Sequence, residues 1–195
     1  MSLSKNIHDA FEVVKMTHDN VKKLLDYCLT ESKKEDAEFI SASSKILHYR
    51  QNDEDWDWCL YNFIILFQHS EDELLPNLWR DGPVYIMEIN LSPDDYDEPM
   101  VNLARYTYAK GEISNWARGV SQRDFIGFIM PLYDENLEID GDPLNYSCKG
   151  IDEKSGFTDY FGLKEYVGVG IPLTDITREN ATERVFGGFR LLRSK

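Results

Sequence analysis

From Lys5 to Thr30 the apolar positions Ile7, Phe11, Val14, Val21, Leu25 and Cys28 step by fours and threes, with His18 on the same seam. Such steps hold side chains on one face of an α-helix, so the pattern predicts a helix of about seven turns. Ala10, Val13, Leu24 and Leu29 widen the stripe. A wide stripe suits packing on a sheet or core better than the narrow seam of a two-stranded coil.

From Phe39 the character changes to β-branched, aromatic and small residues: "FISASSKILHYR", the polar break "QNDED", then "WDWCLYNFIILFQ". The last run is apolar at both alternating sets of positions, as in a central strand covered on both faces, although periodicity alone leaves a buried helix open over residues 56–68. Its aromatic and β-branched bias favours a strand, and the polar break then closes a hairpin.

Next come two alternating runs, "PVYIMEINL" and "VNLARYTY", separated by the acidic loop "SPDDYDEP". An antiparallel register in which paired residue numbers sum to 193 sets Met87 opposite Tyr106, Tyr85 opposite Tyr108 and Glu88 opposite Arg105. That register matches apolar with apolar and acid with base, and it makes Glu88 and Arg105 a structural ion pair. Ile113, Trp116 and Val120, then Phe125, Phe128, Ile129 and Leu132, predict a helical segment near 112–133, which Pro131 ends or kinks. Residues 134–164 read as irregular, with one short helical turn near Tyr160. "EYVGVGIPL" and "RVFGGFRLLR" predict two closing strands.

These elements give an α+β fold: a long N-terminal helix packed on a mainly antiparallel sheet of about six strands, in one domain over residues 1–195. The plan, a leading helix followed by a meandering sheet, is similar to PAS-like and other small sensory folds, and that likeness of plan carries no residue with it. No internal repeat is present.

Composition adds constraints on partners. The hydrophobic fraction of 42% and aromatic fraction of 13% are those of a globular protein. The longest apolar run, "FIILF", is far below the roughly 20 residues that span a bilayer. The start "MSLSKNIHDAF" lacks a secretion signal's apolar run, so a soluble cytoplasmic protein is expected. Cys28, Cys59 and Cys148 are odd in number and scattered, which predicts buried thiols rather than a disulfide framework or metal knuckle. The net charge is −14, with seventeen acids against five bases in residues 31–100. Such a field disfavours nucleic acid and suits a basic protein partner.

Candidate chemistry is sparse. Glu88 on a strand resembles the acid of a PD-(D/E)xK metal-dependent nuclease, but Asn90 stands where the lysine belongs, and Pro76-Asn77 where Pro-Asp is wanted. The two departures remove a metal-binding acid and the lysine that would handle water. In "YDENLEIDGDP", Asn136, Glu138, Asp140 and Gly141 fit the first, third, fifth and sixth places of a calcium loop, yet the twelfth is Ser147 instead of the bidentate Glu. His8, His18, His48 and His69 show no ligand spacing. His69 and Ser70 are adjacent, so on a strand they point to opposite faces, and no GxSxG elbow occurs. Gly168, Gly170, Gly187 and Gly188 follow no phosphate-binding order and either let the closing strands bend or offer bare backbone to a ligand. The dispersed Trp56, Trp58, Trp79, Trp116, Tyr106 and Tyr108 read as core.

Three function classes follow. The first is a non-enzymatic acidic binding or regulatory module for a basic protein, with Asp94, Asp95, Asp97 and Glu98 as its binding acids. The second is a small-molecule-binding sensory-type domain with an aromatic pocket between helix and sheet; Gly168 and Gly170 are separate candidate binding positions, where a ligand would rest on bare backbone. The third is a carboxylate-based hydrolase, with or without a metal, requiring at least two of Glu88, Asp81, His69 and Asp72 to converge. No cofactor, resident metal, catalytic residue or membrane association is expected.

Overall fold

The N-terminal periodicity forms helix α1, Leu3–Glu31, with no glycine or proline inside it. Its seam divides: Val21, Leu25, Cys28 and Leu29 are buried, whereas Ile7 and Phe11 remain 50% and 56% exposed. His18 packs edge-on against Phe63. Ser32 stops the helix, its amide bonded to the Cys28 carbonyl and its hydroxyl to that of Leu29. The computed structural model describes residues 3–42, 46–48, 62–93, 97–119, 127–128, 130–134, 137–142, 144–151 and 160–195.

One antiparallel sheet organises the rest. Its strands are β1 (Phe39–Ser41), β2 (Leu47–His48), β3 (Asn62–His69), β4 (Val84–Asn90), β5 (Met100–Tyr108), β6 (Asp140–Asp142), β7 (Asn145–Lys149) and β8 (Leu163–Pro172). Seven lie in the order β1-β3-β4-β5-β8-β7-β6, and β2 also pairs with β3. The fold is therefore α+β, and the run around residues 62–69 is a strand; residues 56–61 lie outside the described residues. Every position of β4 is buried, because both sheet faces are covered. One face carries Tyr85, Met87, Ile89 and Leu103 against α1 and the C-terminal helix. The other carries Ile64, Leu66, Ile86, Ala104 and Tyr106 against the irregular segments and Trp79.

Four expectations differ from the structure. Strands β4 and β5 pair with residue numbers summing to 190, so Glu88 faces Asn102 and Arg105 faces Tyr85. The Glu88–Arg105 pair does not form, since a shift from 193 to 190 turns the two side chains to opposite sheet faces. "RVFGGFRLLR" is helical instead of extended: Glu183–Gly187 is a π-helical turn running into α2, Gly188–Arg193. Val185, Phe189 and Leu192, spaced four and three, form its buried stripe. A Cβ on Gly188 would sit 2.5 Å from Leu103 Cδ1, so glycine lets the helix lie against β5. In the segment near 112–133, Ile113–Asn115 is a 3-10 turn after which Trp116 is extended, residues 127–128 are helical and Met130–Leu132 is a second 3-10 turn, while residues 120–126 and 129 lie outside the described residues. Residues 134–164, expected to be irregular, contain the β6–β7 hairpin, in which Asp140 pairs with Ser147. The supposed calcium loop is therefore a pair of strands over its described residues, and Asn136 lies outside them.

Candidate functional site

The residues singled out in the sequence disperse. Asp97 and Glu98 are exposed, and Glu98 accepts a hydrogen bond from the Thr174 hydroxyl at 3.3 Å. Asp94 and Asp95 lie outside the described residues. Gly168 is buried beneath its cross-strand partner Tyr146, whose ring would lie 2.2 Å from an added Cβ. The Gly170 amide donates to the Leu144 carbonyl. These glycines serve close strand packing.

His69 and Asp72 lie at the far end of β3 from Ile64, the residue opposite Glu88. The buried His69 ring takes up the Glu71 amide through Nδ1 and meets the Arg193 guanidinium through Nε2. Arg193 also reaches Glu71, while Arg190 bonds Glu38 and Glu183. Arg105, free of Glu88, donates to the Leu192 carbonyl at 2.8 Å and so caps the end of α2. This polar group fastens the C-terminal helix to the sheet edge. Among the described residues no three of His, Cys, Asp and Glu gather where they could hold a metal ion.

Among the described residues, Glu88 is a strongly perturbed carboxylate. It is fully buried, in a row running Ile64, Glu88, Asn102 and Gly170 across β3, β4, β5 and β8. Asn102 Nδ2 donates to Oε2 at 2.8 Å and the Tyr133 hydroxyl donates to Oε1 at 2.7 Å. Asn90 Nδ2 in turn donates to Tyr133, and Asn90 Oδ1 accepts the Ser92 amide. Burial raises the Glu88 pKa from the ordinary 4.5 to about 7, against the opposing pull of the two hydrogen bonds. Both carboxylate oxygens are occupied, and the network reaches the surface at the exposed Tyr133. Sequence reasoning missed Asn102 and Tyr133; Asn102, a polar residue between the apolar Val101 and Leu103, was the available signal.

Among the described residues, an open site lies elsewhere. A groove of about 650 Å³ runs between α1 and the segment that follows β8. From α1 it is lined by Thr17, Asn20, Val21, Lys23, Leu24 and Tyr27, whose spacing is largely that of one helical face. The opposite wall is Leu173, Thr174, Ile176, Thr177, Arg178 and Ala181. Several bonds hold that wall. The Leu173 amide donates to the Pro99 carbonyl at 2.8 Å, anchoring the turn to the start of β5. Asn180 staples the loop, accepting the Thr177 amide and donating to the Asp175 carbonyl. Tyr27 and Thr182 share a 2.5 Å hydrogen bond between their hydroxyls, which ties α1 to the start of the C-terminal helix. A preformed concave space with aliphatic walls and a few polar groups can bind a small molecule without rearrangement.

No known protein family, curated protein or solved structure matches the chain.

Proposed function

We propose that this chain is a non-enzymatic binding domain for a small molecule, seated between α1 and the segment after β8. The observation that carries the reading is the groove of about 650 Å³, within the roughly 300–1,000 Å³ of small-molecule sites. Its aliphatic wall of Val21, Leu24, Leu173 and Ile176 supplies the apolar area that drives such binding. The pocket expected from the sequence was aromatic and lay between helix and sheet; this one is aliphatic, with Tyr27 its sole aromatic lining residue among those described.

The neutral fluorophore N-phenyl-1-naphthylamine tests it. Saturable binding of one probe per chain is expected, and Leu24→Asp should weaken it at least about tenfold, or about 1.4 kcal/mol, by placing a charge on the aliphatic wall. Retained far-ultraviolet circular dichroism would show the variant folded. Absence of saturable binding, or equal binding by a folded variant, would remove the groove as the site.

A second reading, an acidic module for a basic protein, draws on the sheet edge. Strand β6 is the outermost strand of its side, and its residues Asp140, Gly141 and Asp142 are all exposed. An open edge between carboxylates suits a Lys- or Arg-rich segment added as a further strand. An extended basic peptide should bind more weakly as ionic strength rises, and Asp140→Asn/Asp142→Asn should reduce its affinity several-fold. Binding indifferent to salt would count against this reading.

A further inference from the structure

We infer that the occupant of the groove is a single-chain amphipathic carboxylate, its head held by Lys23 and Arg178 and its aliphatic tail laid along Val21, Leu24, Leu173 and Ile176. This rests on the groove being the binding site. The argument from charge is specific. The chain has 35 acids against 21 bases, yet none of the twelve lining residues is acidic and two are basic.

Among the described residues neither cation lies in an ion pair within 4.0 Å. Lys23 donates only to the Asn20 side-chain oxygen, at 3.3 Å. Asp26, one turn on, is taken by Lys22 at 2.7 Å. The Glu179 carboxyl, next to Arg178, is held below its ordinary pKa first by its own backbone amide and the Thr177 hydroxyl and last by the Arg178 charge. Glu98 accepts from Thr174. The lining thus holds two cations and no acid, and the neighbouring carboxylates of Glu98 and Glu179 engage the hydroxyls of Thr174 and Thr177.

One carboxylate matches such a pair. A guanidinium presents a planar fork to both oxygens, and an ammonium supplies a point charge beside it. A neutral apolar ligand would leave both cations unused, and an amine would be repelled by them. The aliphatic wall of Val21, Leu24, Leu173 and Ile176 suits an alkyl tail behind that head.

Calorimetric titration with sodium decanoate and with 1-decanol decides between head-group and tail. Decanoate should bind at least about tenfold more tightly than decanol, and Lys23→Gln/Arg178→Gln should erase that advantage while leaving decanol binding unchanged. Both side chains are exposed, so the double variant should fold. Equal binding of decanoate and decanol, unmoved by the double variant, would overturn the anionic head while leaving the groove as a binding site. Failure of both ligands and of N-phenyl-1-naphthylamine would overturn the site itself. Co-sedimentation with phosphatidylglycerol vesicles without decanoate binding would assign the two cations to a membrane head-group and overturn the free carboxylate.

Discussion

Raising the pH from 5 to 8 should cost the folded chain about 2–3 kcal/mol through Glu88 alone, and Glu88→Gln should remove that part of the pH dependence. The folded-state pKa of Glu88 is about 7 and the ordinary value is 4.5. Between those two values the unfolded chain has released its proton while the folded chain still holds it. The unfolded state therefore binds fewer protons, and stability falls as pH rises. The contribution is fully present below pH 4.5 and lost as pH passes through about 7. The amide variant suits the same pocket: its oxygen can accept from Asn102, and its NH₂ can donate to the Tyr133 oxygen. Urea unfolding at pH 5 and pH 8 should show the variant gaining on the parent at the higher pH. Parallel pH dependence in the two proteins would mean that Glu88 titrates as an ordinary carboxyl.

Phe189→Ala should cost about 3–5 kcal/mol, the usual price of emptying a core aromatic site. Phe189 is fully buried, with ring centroids 5.4 Å from each of Phe39, Phe67 and Tyr85 and 6.2 Å from Phe186. Those rings belong to β1, β3, β4 and the π-helical turn, so the cavity would open where the C-terminal helix meets the sheet. Leu191→Ala, at a position 68% exposed two residues along, should change stability little and serves as the control. A loss below about 1 kcal/mol for Phe189→Ala would contradict the packing of α2 on the sheet.

Phe189 also marks where the sequence misled. "RVFGGFRLLR" alternates glycine and aromatic residues in a way that reads as a bent strand, and two adjacent glycines oppose a helix on propensity. Tertiary packing reverses this: Gly188 clears the Leu103 side chain, and the four-and-three spacing of Val185, Phe189 and Leu192 then faces the sheet. The helical repeat was legible, but the reason for the glycines lay in another strand.

The β4–β5 register shows a different limit. A sum of 193 and a sum of 190 both align apolar with apolar residues over these strands, and both find a polar partner for Glu88. With both faces buried, no contrast of wet and dry side chains selects between them. The connection from Leu91 to Pro99 is too long for a tight turn to fix the pairing. By contrast, α1, β4, β5 and β8 followed directly from their periodicity, and β3 from its aromatic and β-branched bias. The groove was hidden because its two walls, Thr17–Tyr27 and Leu173–Ala181, are far apart in the chain, and the second has no regular pattern.

The central claim, that the groove between α1 and the segment after β8 is where a ligand binds, is most directly tested by backbone amide chemical-shift mapping during titration with decanoate. Perturbations are expected to concentrate at residues 17–27 and 173–181. Shifts centred instead on Glu88, Asn102 and Tyr133, or on edge strand β6, would contradict it.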